Sequence, residues 1–249
     1  MRRYALRDDQ WDRIKDFLPG REGHVGGTAA DNRLFVEAVL YRYRAGIPWR
    51  DLPERFGDWK MVHQRFGRWA KSGVFERIFK LLASDHDSEY MMIDATIVRA
   101  HQHSAGARKK RRASDRPIAG GLTSKIHVLV DALGNPADVM LTPGQAHDLA
   151  CAEPLLEEAD PEALIGDKAY DADALIDTLN RRQITPVIPP KANRKTPRDC
   201  DFALYRERNL VERFFNKLKH FRAIATRYDK LARNFLAGIQ LVSAIILLN

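Results

Sequence analysis

The sequence predicts an α/β protein, a mixed sheet flanked by helices and preceded by a small all-α domain that resembles a helix-turn-helix. Three observations predict it. From about Leu6 to Leu82 apolar residues recur at helical spacing with few strand signals. A polar stretch, Ser84 to Glu89, then interrupts the pattern. Beyond it come three short apolar runs followed by a run-helix-run-helix order, which suits a sheet with helices against it. The expected division is therefore 1–85, a helical domain, and 86–249, a domain built on the sheet.

In the first part, Trp11, Ile14, Phe17 and Leu18 share a helical face until Pro19 and Gly20 stop it, and a glycine-rich loop from Gly20 to Gly27 follows. Asp31 is an N-cap for a second helix through Leu34, Phe35, Ala38, Val39 and Tyr41, ending near Gly46. Pro48 opens a third, with Trp49, Leu52 and Phe56 on its apolar side. Gly57 supplies a turn, and Asp58 caps a fourth helix carrying Val62, Phe66 and Trp69. Two short helices joined at a glycine turn resemble a helix-turn-helix. The second would expose Lys60, His63, Gln64, Arg65, Arg68 and Lys71, residue types that contact phosphates or base edges. A plain helical bundle with a solvated basic face fits the same residues.

In the second part, Tyr90-Met-Met-Ile93 reads as a central strand ending in Asp94. Lys125–Val130 and Val139–Leu141 read as two more strands with a Gly134-Asn-Pro136 turn between them. Ala163-Leu-Ile165 is a fourth strand, closed by Gly166 and Asp167, and a helix through Leu175, Ile176 and Leu179 follows. Ile184–Ile188 is a fifth strand. Asp201 caps one long helix through Leu204, Leu210, Val211, Phe214, Phe215 and Leu218.

Composition bounds the function. The 249 residues are 45% hydrophobic and 30% charged, ordinary for a globular chain. Forty-one Lys and Arg against thirty-three Asp and Glu leave a formal charge of +8, which suits a polyanionic partner without proving one. Cys151 and Cys200 stand outside any zinc-type spacing and read as free thiols. The N-terminus lacks the apolar stretch of an export signal. Phe235 to Leu248, broken by Gln240 and Ser243, is shorter than the roughly 20 residues that span a bilayer and reads as a buried helix. The expectation is a cytoplasmic protein without a membrane partner.

The chemistry rests on three acids. Asp94 and Asp167 each close an apolar run, where a buried carboxylate calls for a partner such as a metal or a donor, although single strand-terminal acids are commonly turn formers. Tyr205, Arg208, Glu212 and Lys219 lie at offsets of three, seven and fourteen, within one stripe of a helix. Leu204, Val211, Phe214, Phe215 and Leu218 fill the neighbouring stripe, so the helix can bury that side and direct Glu212 toward the aspartates. An ordinary i,i+4 pair of Arg208 with Glu212 accounts for the same spacing. Three convergent carboxylates suit a hard divalent cation, Mg2+ with Mn2+ as a substitute, and two such ions can drive displacement at a phosphodiester. Arg208, Lys219 and Lys168 would offset repulsion of a polyanion and grip phosphates.

These residues resemble the DDE transposases of bacterial insertion sequences, in the IS-five class. The resemblance is carried by Met92-Ile-Asp94-Ala-Thr96, Gly121-Leu-Thr-Ser-Lys-Ile-His127, Gly166-Asp167-Lys-Ala-Tyr170-Asp171 and the pattern Tyr205-xx-Arg208-xxx-Glu212-xxxxxx-Lys219, and it covers nearly the whole chain. It implies a ribonuclease H-like catalytic domain behind a helical DNA-binding region. It also implies that Asp94, Asp167 and Glu212 are the catalytic, metal-binding triad, and that Tyr205, Arg208 and Lys219 contact DNA. Only 45 positions separate Asp167 from Glu212, so the large β-rich insertion of some relatives is expected to be absent.

The expected partner is double-stranded DNA, both the terminal inverted repeats and the target, with a homo-oligomer because two ends are cut together. Arg108, Lys109 and Lys110, in the run to Arg112, form a basic loop that reads equally as linker or DNA clamp; Lys191 to Arg198 is a second basic stretch. His101, His103, His127 and His147 have no zinc-like spacing and read as structural. Two rival readings remain. One is a nuclease of the same fold without strand transfer, the other a DNA-binding regulator whose acids are idle.

Overall fold

The structure, a computed structural model, describes residues 5–20, 31–104 and 123–249. In chain order its helices are α1 (Asp8–Ile14), α2 (Asn32–Ala45), α3 (Trp59–Lys71), α4 (Val74–Ala83), α5 (Ala152–Leu155), α6 (Asp173–Arg181), α7 (Phe202–Tyr205), α8 (Asn209–Lys219), α9 (Arg222–Ala225) and α10 (Ala232–Leu247). Its strands are β1 (Tyr90–Ala100), β2 (Thr123–Val130), β3 (Pro136–Pro143), β4 (Ala163–Gly166), β5 (Thr185–Val187) and β6 (Thr226–Arg227). Two compact units result. Met1–Leu82, Arg99–Leu122 and Leu218–Asn249 make the first, Ala83–Val98 and Thr123–Lys217 the second.

The first unit is helical. The Asp31 carboxylate accepts from Leu34 N at 2.8 Å and starts α2, and Gly46, at φ +72°, ends it. Gly46 also leaves room for α9, because a Cβ there would lie 2.7 Å from Arg222 Cβ. The Asp58 carboxylate accepts from Lys60 N and starts α3, whose Val62, Phe66 and Trp69 are buried. Nearly every residue of α10 from Asn234 to Ile245 is buried, as an apolar helix requires.

A polar knot ties α2 to the segment before α10. Arg42 Nη1 donates to Asp229 Oδ2 at 3.0 Å, 187 residues away along the chain, and both side chains are buried. Tyr43 Oη donates to the same oxygen, and Arg227 donates to the Asp229 carbonyl. Removing one partner of such a buried pair costs about 3–5 kcal/mol, so this contact holds the C-terminal segment on the bundle.

The expectation divides the chain once, at 85/86, whereas the compact units are interleaved along the chain, with Arg99–Leu122 and Leu218–Asn249 grouped with Met1–Leu82. Contacts spanning almost the whole chain leave no local signal. Two helices also differ. Instead of one helix from Pro48 there are two 3-10 turns, Trp49–Asp51 and Glu54–Phe56, because Leu52 must be extended ahead of Pro53. The single long helix expected after Asp201 is α7, a 3-10 turn at Arg206–Arg208, and α8. The Gly20–Gly27 loop lies, from residue 21 on, outside the described residues, as do Arg108, Lys109 and Lys110.

The second unit is built on a mixed sheet of order β3-β2-β1-β4-β5; β6 belongs to the first unit, where it pairs with Arg99 and Ala100 at the end of β1. β4 runs parallel to β1, and β5 parallel to β4. β2 and β3 form an antiparallel hairpin from Ser124↔Pro143 to Val130↔Pro136, turned at Gly134 with φ +82°. One face of the sheet is covered by a cluster containing Met91, Ile93, Leu129, Leu155, Leu164, Tyr170, Leu175 and Leu179. β1 is longer than expected: it runs six residues past Asp94, which therefore sits mid-strand. Between Asp167 and Glu212 lie only α6, β5, α7 and 3-10 turns.

Candidate active site

The two aspartates are placed by strand register. β1 and β4 pair in parallel as Tyr90↔Ala163, Met91↔Leu164, Met92↔Ile165 and Ile93↔Gly166, and the next residues are Asp94 and Asp167. Adjacent strands lie about 4.8 Å apart, so the two acids leave neighbouring positions. Side chains alternate across a strand, and Met91, Ile93 and Leu164 belong to the core cluster on one face. Asp94, one residue beyond Ile93, is on the opposite face.

Gly166 makes the close packing here possible. A Cβ at that position would lie 3.2 Å from both Ile93 Cγ2 and the Tyr170 ring. Each carboxylate is held by a nearby backbone N–H. Asp94 Oδ1 accepts from Ala95 N at 2.7 Å, and Asp167 Oδ1 accepts from Ala169 N at 2.8 Å as the cap of a 3-10 turn.

Glu212 comes from α8. The Asp201 carboxylate accepts from Ala203 N and Leu204 N to start α7, and the 3-10 turn at Arg206–Arg208 leads into α8. Val211, Phe214 and Leu218 are fully buried, which leaves Glu212 on the more open side. Arg208 bridges helix and strand. Its Nη1 donates to Glu212 Oε1 at 2.8 Å and its Nη2 to Asp94 Oδ2 at 3.1 Å. The i,i+4 pair and the link to an acid 114 residues away are thus one interaction.

The Asp94 carboxyl senses both of the other acids. Burial pushes the Asp94 carboxyl above its ordinary value; the Ala95 N–H and Arg208 pull it back, and the negative charges of Asp167 and Glu212 add to the rise. Tyr205, half-buried, is raised by burial, countered by Arg208, and feels Asp167 and Asp94. The donor set, three carboxylates with one shared cationic contact, fits a hard divalent ion in chemistry. In this arrangement, among the described residues, no three His, Cys, Asp or Glu side chains are gathered closely enough to hold an ion. The space between Asp94 and Glu212 is spanned by a guanidinium.

The other expected residues divide. Lys168, beside Asp167, is exposed. Lys219 ends α8, half-buried, and belongs to the first unit. On α3, Lys60, His63, Gln64, Arg68 and Lys71 are exposed. Arg65 differs. Its guanidinium lies 4.3 Å from the Phe35 ring centroid and 4.7 Å from that of Trp69, and it donates to Asn32 Oδ1. The cause is helical geometry, since position 65 shares the buried stripe of Val62 and Trp69.

The basic stretch Lys191–Arg198 is also engaged. Asp171, buried, accepts from Lys191 N at 2.8 Å, Arg194 Nε at 2.6 Å and Arg198 Nη1 at 2.6 Å, and both arginines also bond Asp173. This strap, between β5 and α7, was not legible as such. Its one signal was a second aspartate four residues after Asp167. His127 is buried against Thr142 Oγ1 at 2.7 Å, and burial pushes its pKa down to about 4. His101 stacks on Tyr228. Cys151 and Cys200 are free thiols.

A mixed sheet of this order, with acids on adjoining parallel strands and a third on the helix facing them, defines a ribonuclease H-like domain of the DDE type. A family profile described as "Putative transposase of IS4/5 family" matches residues 6–79, and two described as "Transposase DDE domain" match residues 85–203 and 164–249. The "Putative transposase for insertion sequence element IS6501" of Brucella ovis is 37% identical over 127 residues, 50% of this chain and 98% of that protein. An uncharacterized protein, y4sN, of Sinorhizobium fredii is 51% identical over 107 residues, 43% of this chain and 86% of that protein. Among solved structures, a piggyBac transposase synaptic complex with hairpin DNA shares the fold, with a TM-score of 0.54 at 11% identity, covering 96% of this chain and 70% of that one. The chain belongs to the DDE transposases of bacterial insertion sequences, within the IS4/5 family, and is a DNA transposase. Among the described residues no helix is long and apolar enough to cross a membrane.

Proposed function

We propose that Asp94, Asp167 and Glu212 form the site at which the protein cuts the ends of its element and joins the freed 3′-hydroxyls to target DNA. The observation that supports the reading most is that the β1–β4 register ends at Ile93↔Gly166, immediately before Asp94 and Asp167, and that Arg208 bonds both Glu212 and Asp94. These three carboxylates would hold magnesium, or manganese in its place, which supplies Lewis-acid activation and charge neutralisation at the phosphodiester. The chain's own residues supply the grip. Arg208 and Lys168, beside the acids, together with Tyr205, hold phosphates around the scissile bond, and Lys219 is a further DNA contact. Lys60, Gln64 and Arg68 on the exposed side of α3 contact the terminal repeats, with Arg65 kept in the bundle.

Two ends must be cut in concert, so the working form is a homo-oligomer on paired ends, acting in the cytoplasm on the nucleoid. A labelled duplex carrying the element's end, incubated with Mg2+ with and without target DNA, tests the reading. The native protein should nick the end and, with target present, yield joined product; E212Q should bind the end and do neither. Cleavage without joining would favour a plain nuclease, and full cleavage by E212Q would remove the acids from the mechanism.

A further inference from the structure

The strap after β5 is fastened to the turn that follows Asp167. Asp171 stands four residues beyond that acid, just past the 3-10 turn Lys168–Tyr170 which the Asp167 carboxylate caps. Its side chain is buried and bonded on both oxygens: Oδ2 accepts from Arg194 Nε at 2.6 Å and from Lys191 N at 2.8 Å, and Oδ1 accepts from Arg198 Nη1 at 2.6 Å. Lys191 Nζ donates to the Asp171 carbonyl at 3.0 Å, and both arginines also bond Asp173 at the start of α6. Two guanidiniums thus meet two carboxylates, and the arginine side chains are only 19% and 28% exposed. A clamp for DNA would keep that charge open to solvent; here it is matched within the sheet unit.

Residues 188–201 contain no helix or strand, so hydrogen bonds to other segments, not a ladder, fix their path. Arg198 lies three positions before Asp201, whose carboxylate caps α7, and the chain runs on through the turn Arg206–Arg208 into α8 and Glu212. α7 in turn lies against β4 and β5. From this geometry we propose that Asp171, with Arg194 and Arg198, is a positioning cluster: it pins the start of α7 to the turn after Asp167 and so sets where Arg208 and Glu212 stand relative to that acid. The inference rests on the assignment of Asp167 and Glu212 to the reaction and adds residues that act through them without touching DNA. A shift of the strap is passed to α7 over those three positions, and a displacement of about 1 Å at a reacting group costs on the order of a hundredfold in rate.

A DNA clamp and a purely structural tie predict different results. The test uses the full chain with a duplex carrying the element's end, for the native protein, R194Q, R198Q, R198K, D171N and the double variant D171N/R198Q, with E212Q as a control. Two quantities are read: single-turnover cleavage at saturating protein, and end binding as a function of salt. The positioning cluster predicts that R198Q and D171N cleave about a hundredfold more slowly, and that R198K, which keeps a charge and a donor, recovers part of that loss. The double variant should be no slower than D171N, because both changes break one contact. End affinity and its salt slope should stay within a few-fold of native. Circular dichroism verifies that each variant is folded, and R194Q and R198Q carry the test should D171N unfold. If the arginines grip phosphates, R194Q and R198Q should each lower the salt slope by about one, and that result overturns the cluster. Native cleavage by folded R194Q and R198Q leaves only a structural tie and overturns it equally. Full cleavage by E212Q would instead remove the acid through which the cluster acts, so failure of the site and failure of the cluster are distinguishable.

Discussion

Asp94 and Asp167 follow directly on Ile93 and Gly166, the last residue pair in the parallel register of β1 and β4. Their proximity is a property of the sheet and not of a flexible loop. The glycine matters because any larger residue at 166 would press on Ile93 and Tyr170 beneath the acids. Each acid should therefore be replaceable in charge without loss of the fold. D94N, D167N and E212Q are each expected to abolish end cleavage while leaving end binding within a few-fold of native, and double variants should be no worse than singles because the acids act as one unit. Gel-shift and cleavage assays on the same preparations check this.

Gly166→Ala should be harmful through position alone. Its Cβ would meet Ile93 and Tyr170 at 3.2 Å, so these must give by a few tenths of an ångström, at a cost of about 1–3 kcal/mol. Chemical denaturation measures the loss. Cleavage should fall more than stability would explain, since the displaced residues carry the acids.

In the helical unit, Gly238 faces the Tyr43 ring so closely that a Cβ would lie 2.1 Å from the hydroxyl oxygen. Gly238→Ala must displace Tyr43 from its bonds to Asp229 and the Asn234 carbonyl. The expected outcome is a folded sheet unit with a loosened bundle, read as lost hydrogen-exchange protection in α2 and α10. Asp229→Asn should act in the same direction, with a cost of about 3–5 kcal/mol from the buried Arg42 left without its counter-ion.

The legibility of these features from sequence varied with the range of the contacts behind them. Caps at Asp31, Asp58 and Asp201 act within three residues, and each was readable because the donor and the cap are neighbours. The apolar runs before Asp94 and Asp167 and the helical stripe around Glu212 are local patterns too, and they fall in β1, β4 and α8. Arg208 was readable only in part, since its bond to Glu212 has a spacing and its bond to Asp94 has none. Arg194 and Arg198 looked like free positive charge, yet a buried Asp171 more than twenty positions earlier engages both. The return of α10 to the first helices was hidden for the same reason, distance along the chain.

His127 gives a pH prediction with a definite sign. Burial lowers its pKa from 6.5 to about 4, so the native state keeps it neutral while the unfolded chain takes up a proton below 6.5. Its contribution is fully present above pH 6.5 and falls as the pH drops toward about 4. H127N should remove that part of the slope. Urea unfolding at several pH values across the window checks it, and the native His127 ring should titrate by NMR well below an ordinary histidine.

Asp171 acts in a lower range. Burial raises its carboxyl, but the hydrogen bonds from Arg194 and the Lys191 N–H, with the charges of Arg194 and Arg198, leave it below its ordinary value. The strap's anchoring is therefore complete above the ordinary carboxylate range and is lost as pH falls through the lowered value. D171N should destabilise the sheet unit at neutral pH, and the difference from native should shrink in acid. Limited proteolysis within 191–198 measures the release.

The central claim is that Asp94, Asp167 and Glu212 share one divalent-ion pocket, and iron-directed cleavage of the polypeptide tests it most directly. Fe2+ in place of Mg2+, with ascorbate and peroxide, generates radicals that cut the backbone within a short radius of a bound ion. On the full chain with an element-end duplex, the account predicts cuts beside residues 94, 167 and 212 that excess Mg2+ suppresses. Cuts confined to other segments, or the same pattern in D94N/E212Q, would contradict it.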